Sequence, residues 1–233
     1  MLRNQTAEWP LFFDRLVHDL REPLRSVQSF AELLREIAAD RLGPDGDMAT
    51  GEILAGAARI RLLIDGVSRY AGSLEPEPAR PENKGSSLQL AFDMTTLALD
   101  KQITANGAIV TGEKLPRTGM SLERAGHIFE NLIRNSLLFR SPAPPVIEVT
   151  AGPDPQDSGR WLIRVADNGI GIDPNDREAV FKPFMRINGR KYPGAGLGLT
   201  VCRNLVEGCG GRIWMEGSPE GGCLCLFTLP TAE

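Results

Sequence analysis

Apolar residues fall into two rhythms along the chain. Phe13, Leu16, Leu20, Pro23, Val27, Phe30, Leu34 and Ile37 recur at alternating steps of three and four. That is the a/d seam of a heptad helix, and the pattern predicts a helix over 6–41. Gly43-Pro44-Asp45-Gly46 then breaks it with turn-forming residues and a proline. A second seam follows at Ile53, Gly56, Ile60, Leu63, Val67, Tyr70 and Leu74. Two heptad helices joined by a short turn make an antiparallel hairpin. Such a hairpin buries one seam only, and pairing with its own copy closes a four-helix bundle. The competing arrangement packs both helices on the rest of the same chain.

Past Leu74 the rhythm changes. Pro76, Pro78 and Pro81, with Gly85, Ser86 and Ser87, read as a linker over 76–87. This leaves one domain at 1–75 and another at 88–233. The second mixes element types, with helices expected at 88–106, 121–140 and 200–207. Strands are expected at 108–111, 146–150, 161–166, 211–216 and 223–229, and a polar turn at 153–159. Ser121 is placed to cap its helix. The fold class is therefore α+β: an antiparallel helical hairpin forming a dimeric four-helix bundle, then an α/β sandwich.

Composition narrows the function. The 233 residues carry a net charge of −4 with no long basic run, so nucleic-acid binding is not expected as the main function. No run of about 18 apolar residues is present, so no membrane span is expected. The polar start, Met1 to Glu8, is unlike a secretory signal, and the expected location is cytoplasmic. Cys202, Cys209, Cys223 and Cys225 lack the paired spacing of zinc sites and read as reduced core thiols.

Candidate chemistry begins in the first helix, at Arg15-Leu16-Val17-His18-Asp19-Leu20-Arg21-Glu22-Pro23-Leu24. His18 lies off the seam and faces solvent. Asp19 can accept a hydrogen bond from one imidazole nitrogen and leave the other free to attack. Pro23 deprives the Asp19 carbonyl of its helical partner, at a cost of about 3 kcal/mol, which a functional role would explain. A solvated histidine with an incidental proline is the plainer reading of the pair taken alone.

Four clusters in the second half fit a nucleotide. Asn131 and Asn135 share one helix face; their amide oxygens suit magnesium, phosphate or water, or form a polar stripe. Asp167-Asn168-Gly169-Ile170-Gly171-Ile172 follows an expected strand. An acid with spaced glycines allows close approach to a flat ligand and a hydrogen bond to an amino group such as adenine's, or makes a plain hairpin turn. Val180-Phe181-Lys182-Pro183-Phe184-Met185-Arg186 sets a cation beside a hydrophobic plug. Gly194-Ala195-Gly196-Leu197-Gly198-Leu199 leads into a helix, where freed amides and the dipole suit phosphate. Neither the lysine-containing phosphate loop nor the dinucleotide fingerprint matches it. The residues between Ile172 and Gly194 suit a mobile cover.

In this order the clusters resemble the sensor histidine kinases of two-component signalling, from about Phe12 to Leu229. The acceptor box His18-Asp19-Leu20-Arg21-Glu22-Pro23-Leu24 is similar to the phytochrome-type variant. The asparagine box matches 131–139, the glycine boxes 167–171 and 194–199, and the phenylalanine box 181–186. The resemblance implies an ATP-binding sandwich of the gyrase and histidine-kinase type, with ATP and Mg2+ as cofactors. It implies autophosphorylation of His18 and transfer to an aspartate of a response regulator receiver domain. Asp19 would polarise His18 or act as base. Asn135 would ligate the metal, with Asn131 near the phosphates. Asp167 would read the adenine amino group, with Gly169 and Gly171 beside it. Phe139 and Ile172 would line the base pocket. Arg186 would approach the γ-phosphate, and Gly196, Leu197, Gly198 and Leu199 would offer amides. Leu138 stands where the family carries lysine, with Arg140 or Lys191 as possible substitutes. Glu22 stands where threonine or asparagine serves dephosphorylation of the regulator. Seventeen residues precede His18, so a sensor domain is expected on a missing segment or another chain. The alternatives are a gyrase- or repair-type ATPase clamp and a non-catalytic phosphotransfer scaffold.

Overall fold

A computed structural model describes residues 5–38, 41–76, 85–187, 189, 192–218 and 221–232. Most of the expected linker (77–84) and Lys191 lie outside the described residues. The chain divides into two compact units, one of 1–75 with 193–195 and the other of 76–192 with 196–233.

The first unit is a helical hairpin of α1 (Gln5–Ile37) and α2 (Gly43–Ser73). α1 is unbroken through Pro23. It stops short of the expected residue 41; Arg41 and Leu42 instead turn back onto the Ala38 carbonyl. Gly43, at φ +63, opens α2. Pro44 sits in the first turn of α2, where its missing N–H costs nothing. The quartet expected only to end one helix therefore starts the next.

The register of the hairpin differs from the expected seams. Val17, Leu24, Ala57 and Ile64 form its core, with Val67 partly buried against them. Ala31 on α1 and Thr50 and Ala71 on α2 continue these two rows, each seven residues from its neighbour in the row. The expected row on α1 lies outside this contact: Leu20 is 45% exposed, Val27 49% and Phe30 71%. Ile53, Ile60 and Leu63 of α2 are exposed too. Each helix thus carries more apolar surface than one partner covers. Arg21 and Asp65 bridge the helices at 2.8 Å, a half-exposed pair of small net value.

The second unit is a mixed sheet backed by helices. β1 (Ser86–Ser87) leads into α3 (Leu88–Ala98) and α4 (Asp100–Ala105), then β2 (Ile109–Gly112), β3 (Arg117–Thr118) and α5 (Leu122–Leu138). β4 (Val146–Asp154), β5 (Asp157–Asp167), α6 (Gly198–Gly208), β6 (Ile213–Gly217) and β7 (Cys223–Pro230) complete it. The main sheet runs β2-β4-β5-β7-β6. Only β2 and β4 pair in parallel; a crossover containing α5 connects them. Ile147, Val149, Ile163, Val165, Phe227 and Leu229 are buried on its strands. Phe92 of α3 meets Phe129 of α5 edge to face at 5.6 Å.

Several boundaries depart from the sequence reading. The helix expected over 88–106 breaks at the buried Leu99, whose backbone leaves the helical region at φ −96, ψ 2. The expected polar turn at 153–159 is mostly strand. Pro153 is accommodated because the β4–β5 register shifts between Pro153 and Asp154, and bulges tolerate proline. Residues 86 and 87, expected in the linker, pair with β3.

Candidate functional site

α5 supplies one wall of the site. Ser121 caps it by accepting the Arg124 N–H at 3.4 Å, and its apolar side buries Ile128, Phe129, Leu132 and Ile133. Asn131 and Asn135 are half-buried on its flank. The Asn131 amide nitrogen donates to the His127 carbonyl at 2.9 Å. Its oxygen faces Gly198, where an added Cβ would stand 3.0 Å away. Glycine there lets the start of α6 approach α5. The Asn135 side chain makes no hydrogen bond to a described residue.

Asp167, the last residue of β5, is held by two backbone amides and a shared hydroxyl. Its Oδ1 accepts the amides of Gly169 at 2.9 Å and Cys223 at 3.1 Å. Its Oδ2 lies 3.0 Å from the Ser136 hydroxyl, which shares its one proton between this oxygen and the Leu132 carbonyl at 3.1 Å. A carboxylate has about four lone-pair sites, so Oδ2 keeps one for a ligand. Close packing supports this anchor. A Cβ on Gly169 would lie 2.6 Å from the Phe139 carbonyl, the same carbonyl that accepts the Ile170 amide at 3.0 Å. Asn168 ties the loop to Val146 and Pro144. Gly171 adopts φ +73; Ile172 is half-buried.

Further candidate groups come from 181–187, Tyr192 and 196–200. Phe181 is buried, with the Arg203 guanidinium 4.2 Å from its ring centroid. Arg203 bonds Glu178 at 2.7 Å and holds that carboxyl below its usual range. The Thr200 hydroxyl donates to the Phe181 carbonyl at 3.0 Å. Arg186 donates to the Tyr192 carbonyl. The Tyr192 ring lies 4.8 Å from Phe139, tilted by 60°. Gly196 needs its φ of +70, and its Cβ would press on the backbone at Phe184 and Met185 at 2.9 Å. Leu197 is buried, Leu199 half-buried, and α6 begins at Gly198 without a side-chain cap. Its first amides remain available to an acceptor.

Contacts thus link Asn131 with Gly198, Asp167 with Gly169, Phe139 with Gly169, and Arg186 with Phe139 through Tyr192. No short pattern in the sequence marks Ser136, Tyr192 or Gly222, the last of which packs on Asp167, whose carbonyl oxygen would stand 2.0 Å from an added Cβ. Ser136 follows Asn135 directly; the Gly221-Gly222 pair before β7 was the available clue to the third. Leu138 ends α5 half-buried, and Arg140 is exposed. In the first unit, His18 Nδ1 and Asp19 Oδ1 are 3.3 Å apart with side chains 80% and 68% exposed.

Comparison with known proteins gives the class first. Residues 120–233 match the family model "Histidine kinase-, DNA gyrase B-, and HSP90-like ATPase". Cyanobacterial phytochrome A of Nostoc sp. is 33% identical over 98% of this chain and 29% of its own length. The methanogenesis regulatory histidine kinase FilI of Methanothrix harundinacea is 32% identical over 97% of this chain and 25% of its own. Among solved structures, full-length ShkA in complex with AMPPNP matches 96% of this chain and 46% of that one. Its TM-score is 0.71 at 22% identity, a likeness of fold. Residues 120–233 thus carry an ATPase-type domain of this family, and over nearly its whole length the chain is similar to a phytochrome and to a regulatory histidine kinase. It spans about 25–30% of the length of the first curated relatives it matches.

Proposed function

We propose that this chain is the dimerisation and catalytic part of an ATP-dependent protein-histidine kinase. Residues 1–75 form the acceptor hairpin, 76–87 the connection and 88–233 the catalytic domain. The anchored Asp167 carboxylate is the observation that carries the reading. Two backbone amides and the shared Ser136 hydroxyl fix its direction and leave an acceptor site on Oδ2, the arrangement needed to receive an adenine amino group. Gly169 and Gly171 keep the approach clear, while Phe139 and Ile172 offer apolar surface to the base. Amides at Gly196, Leu197, Gly198 and Leu199 receive phosphate oxygens, with Asn131 beside them. Arg186 neutralises γ-phosphate charge.

The unpartnered Asn135 amide fits a hard cation, so Asn135 would hold Mg2+, which when bound neutralises phosphate charge. Asp19 orients the His18 imidazole through one nitrogen. The other attacks the γ-phosphorus in line; the bond to the β–γ bridging oxygen breaks, and ADP leaves. The phosphoryl group then passes to an aspartate of a response regulator receiver domain. The exposed apolar rows of the hairpin pair with those of a second copy in a four-helix bundle. A sensor domain on another segment or chain governs the reaction, in the cytoplasm.

Incubation with γ-labelled ATP and magnesium tests this. The kinase acquires acid-labile, alkali-stable label that is lost in His18→Gln. Free phosphate without labelled protein would mean an ATPase clamp, and neither product a non-catalytic scaffold.

A further inference from the structure

Tyr192 has no part in the reaction described above, yet its ring lies against Phe139, the aromatic assigned to the base. The two ring centroids are 4.8 Å apart. A flat base between them would need about 7 Å, two contact distances of roughly 3.5 Å each. Both rings therefore cannot sandwich one base in this arrangement.

Two features keep Tyr192 there. Its carbonyl accepts a hydrogen bond from Arg186. Pro193 follows it, and a residue before proline is confined to extended backbone. Phe139 is also fixed, because its amide donates to the Asn135 carbonyl at 2.8 Å and its carbonyl accepts the Ile170 amide. Gly169 packs on that same carbonyl. Two rings carried on hydrogen-bonded backbone thus rest on one another.

We propose that Tyr192 is an internal competitor for the nucleobase: its ring packs on Phe139, the aromatic assigned to the base, and must leave when a nucleotide binds. The inference rests on the nucleotide reading above. It makes the cost of displacement specific to ligands that carry a base, because a bare phosphate chain never reaches Phe139.

Titration calorimetry of the whole chain with magnesium and either ADP or inorganic pyrophosphate tests this. Tyr192→Ala removes the competing ring and should bind ADP about 2- to 10-fold more tightly, the range expected for one aromatic pair. Its pyrophosphate affinity should match the parent's. Tyr192→Phe keeps the ring and should bind both ligands like the parent, which separates the ring from its hydroxyl. Equal or weaker ADP binding by Tyr192→Ala, with ADP still binding the parent, would overturn the competitor while leaving the nucleotide site standing. If parent and variants all failed to bind ADP, the nucleotide reading would fall, and the competitor with it.

Discussion

Replacing Gly222 with alanine isolates the contact on which the Asp167 anchor depends. Gly222 adopts φ +86, and a Cβ there would stand 2.0 Å from the Asp167 carbonyl oxygen and 2.8 Å from Asn168 Cα. Those are backbone atoms, so no side-chain rotation relieves the clash. The start of β7 must move from the end of β5, and the Cys223 amide, 3.1 Å from Asp167 Oδ1, moves with it. Gly221 is the internal control, with the same φ of +86 but nothing within 4 Å of its Cβ. Left-handed backbone costs alanine about 1–2 kcal/mol at either position. Overpacking adds about 1–3 kcal/mol at Gly222 alone. Gly222→Ala should therefore lose about 2–5 kcal/mol in all and Gly221→Ala about 1–2. Urea unfolding followed through Trp161 and Trp214 measures the difference. Under conditions where both variants are folded, Gly222→Ala should bind ATP at least about tenfold more weakly, a change of about 1.4 kcal/mol, and Gly221→Ala nearly as the parent does. Equal stability losses and equal ATP affinities would refute the reasoning.

Three other outcomes follow from the same structure. Leu20→Glu with Val27→Glu charges the exposed row of α1 and spares the Val17–Leu24 contact. About 1 kcal/mol per half-exposed side chain, doubled over two copies, predicts a monomer of unchanged helicity by light scattering; a persisting dimer would place the interface elsewhere. Leu138→Lys should tighten ATP binding about tenfold through a charge-assisted phosphate contact, whereas unchanged affinity would mean another cation already serves. Burial pushes the Cys202 and Cys223 thiols up to about 12 and Cys225 well above its usual value. Raised pKa values favour the folded state fully below the unfolded thiol's value of about 8.5 and lose that contribution as pH climbs towards 12. The urea midpoint should fall across this alkaline range, less steeply in Cys223→Ala; an identical slope would remove the thiol from the explanation.

The hairpin was legible because apolar residues repeat over many turns, but the line of contact within it was not. Large residues such as Phe30 and Leu34 dominate a periodicity reading. The buried rows instead pass through Ala31, Ala57 and Thr50, which weigh little in such a pattern. In the second unit, Asp167, the asparagines and the glycines before α6 stand in short local patterns. Ser136 and Gly222 acquire their roles only when α5 and β7 converge on Asp167, and the Cys223 amide arrives from 56 residues away. Tyr192 is likewise defined by a contact with Phe139 that no spacing encodes. The break at Leu99 and the two-residue strand at Ser86–Ser87 are set by packing and pairing partners, with no alternation in the sequence to announce them.

The most direct measurement is a single-turnover balance. Equimolar γ-labelled ATP and protein are mixed with magnesium, and ADP, free phosphate and the modified peptide are counted together. The account predicts one phosphohistidine at His18 for each ADP formed, with little free phosphate. ADP formed with equivalent free phosphate and an unmodified His18 throughout the time course would contradict it.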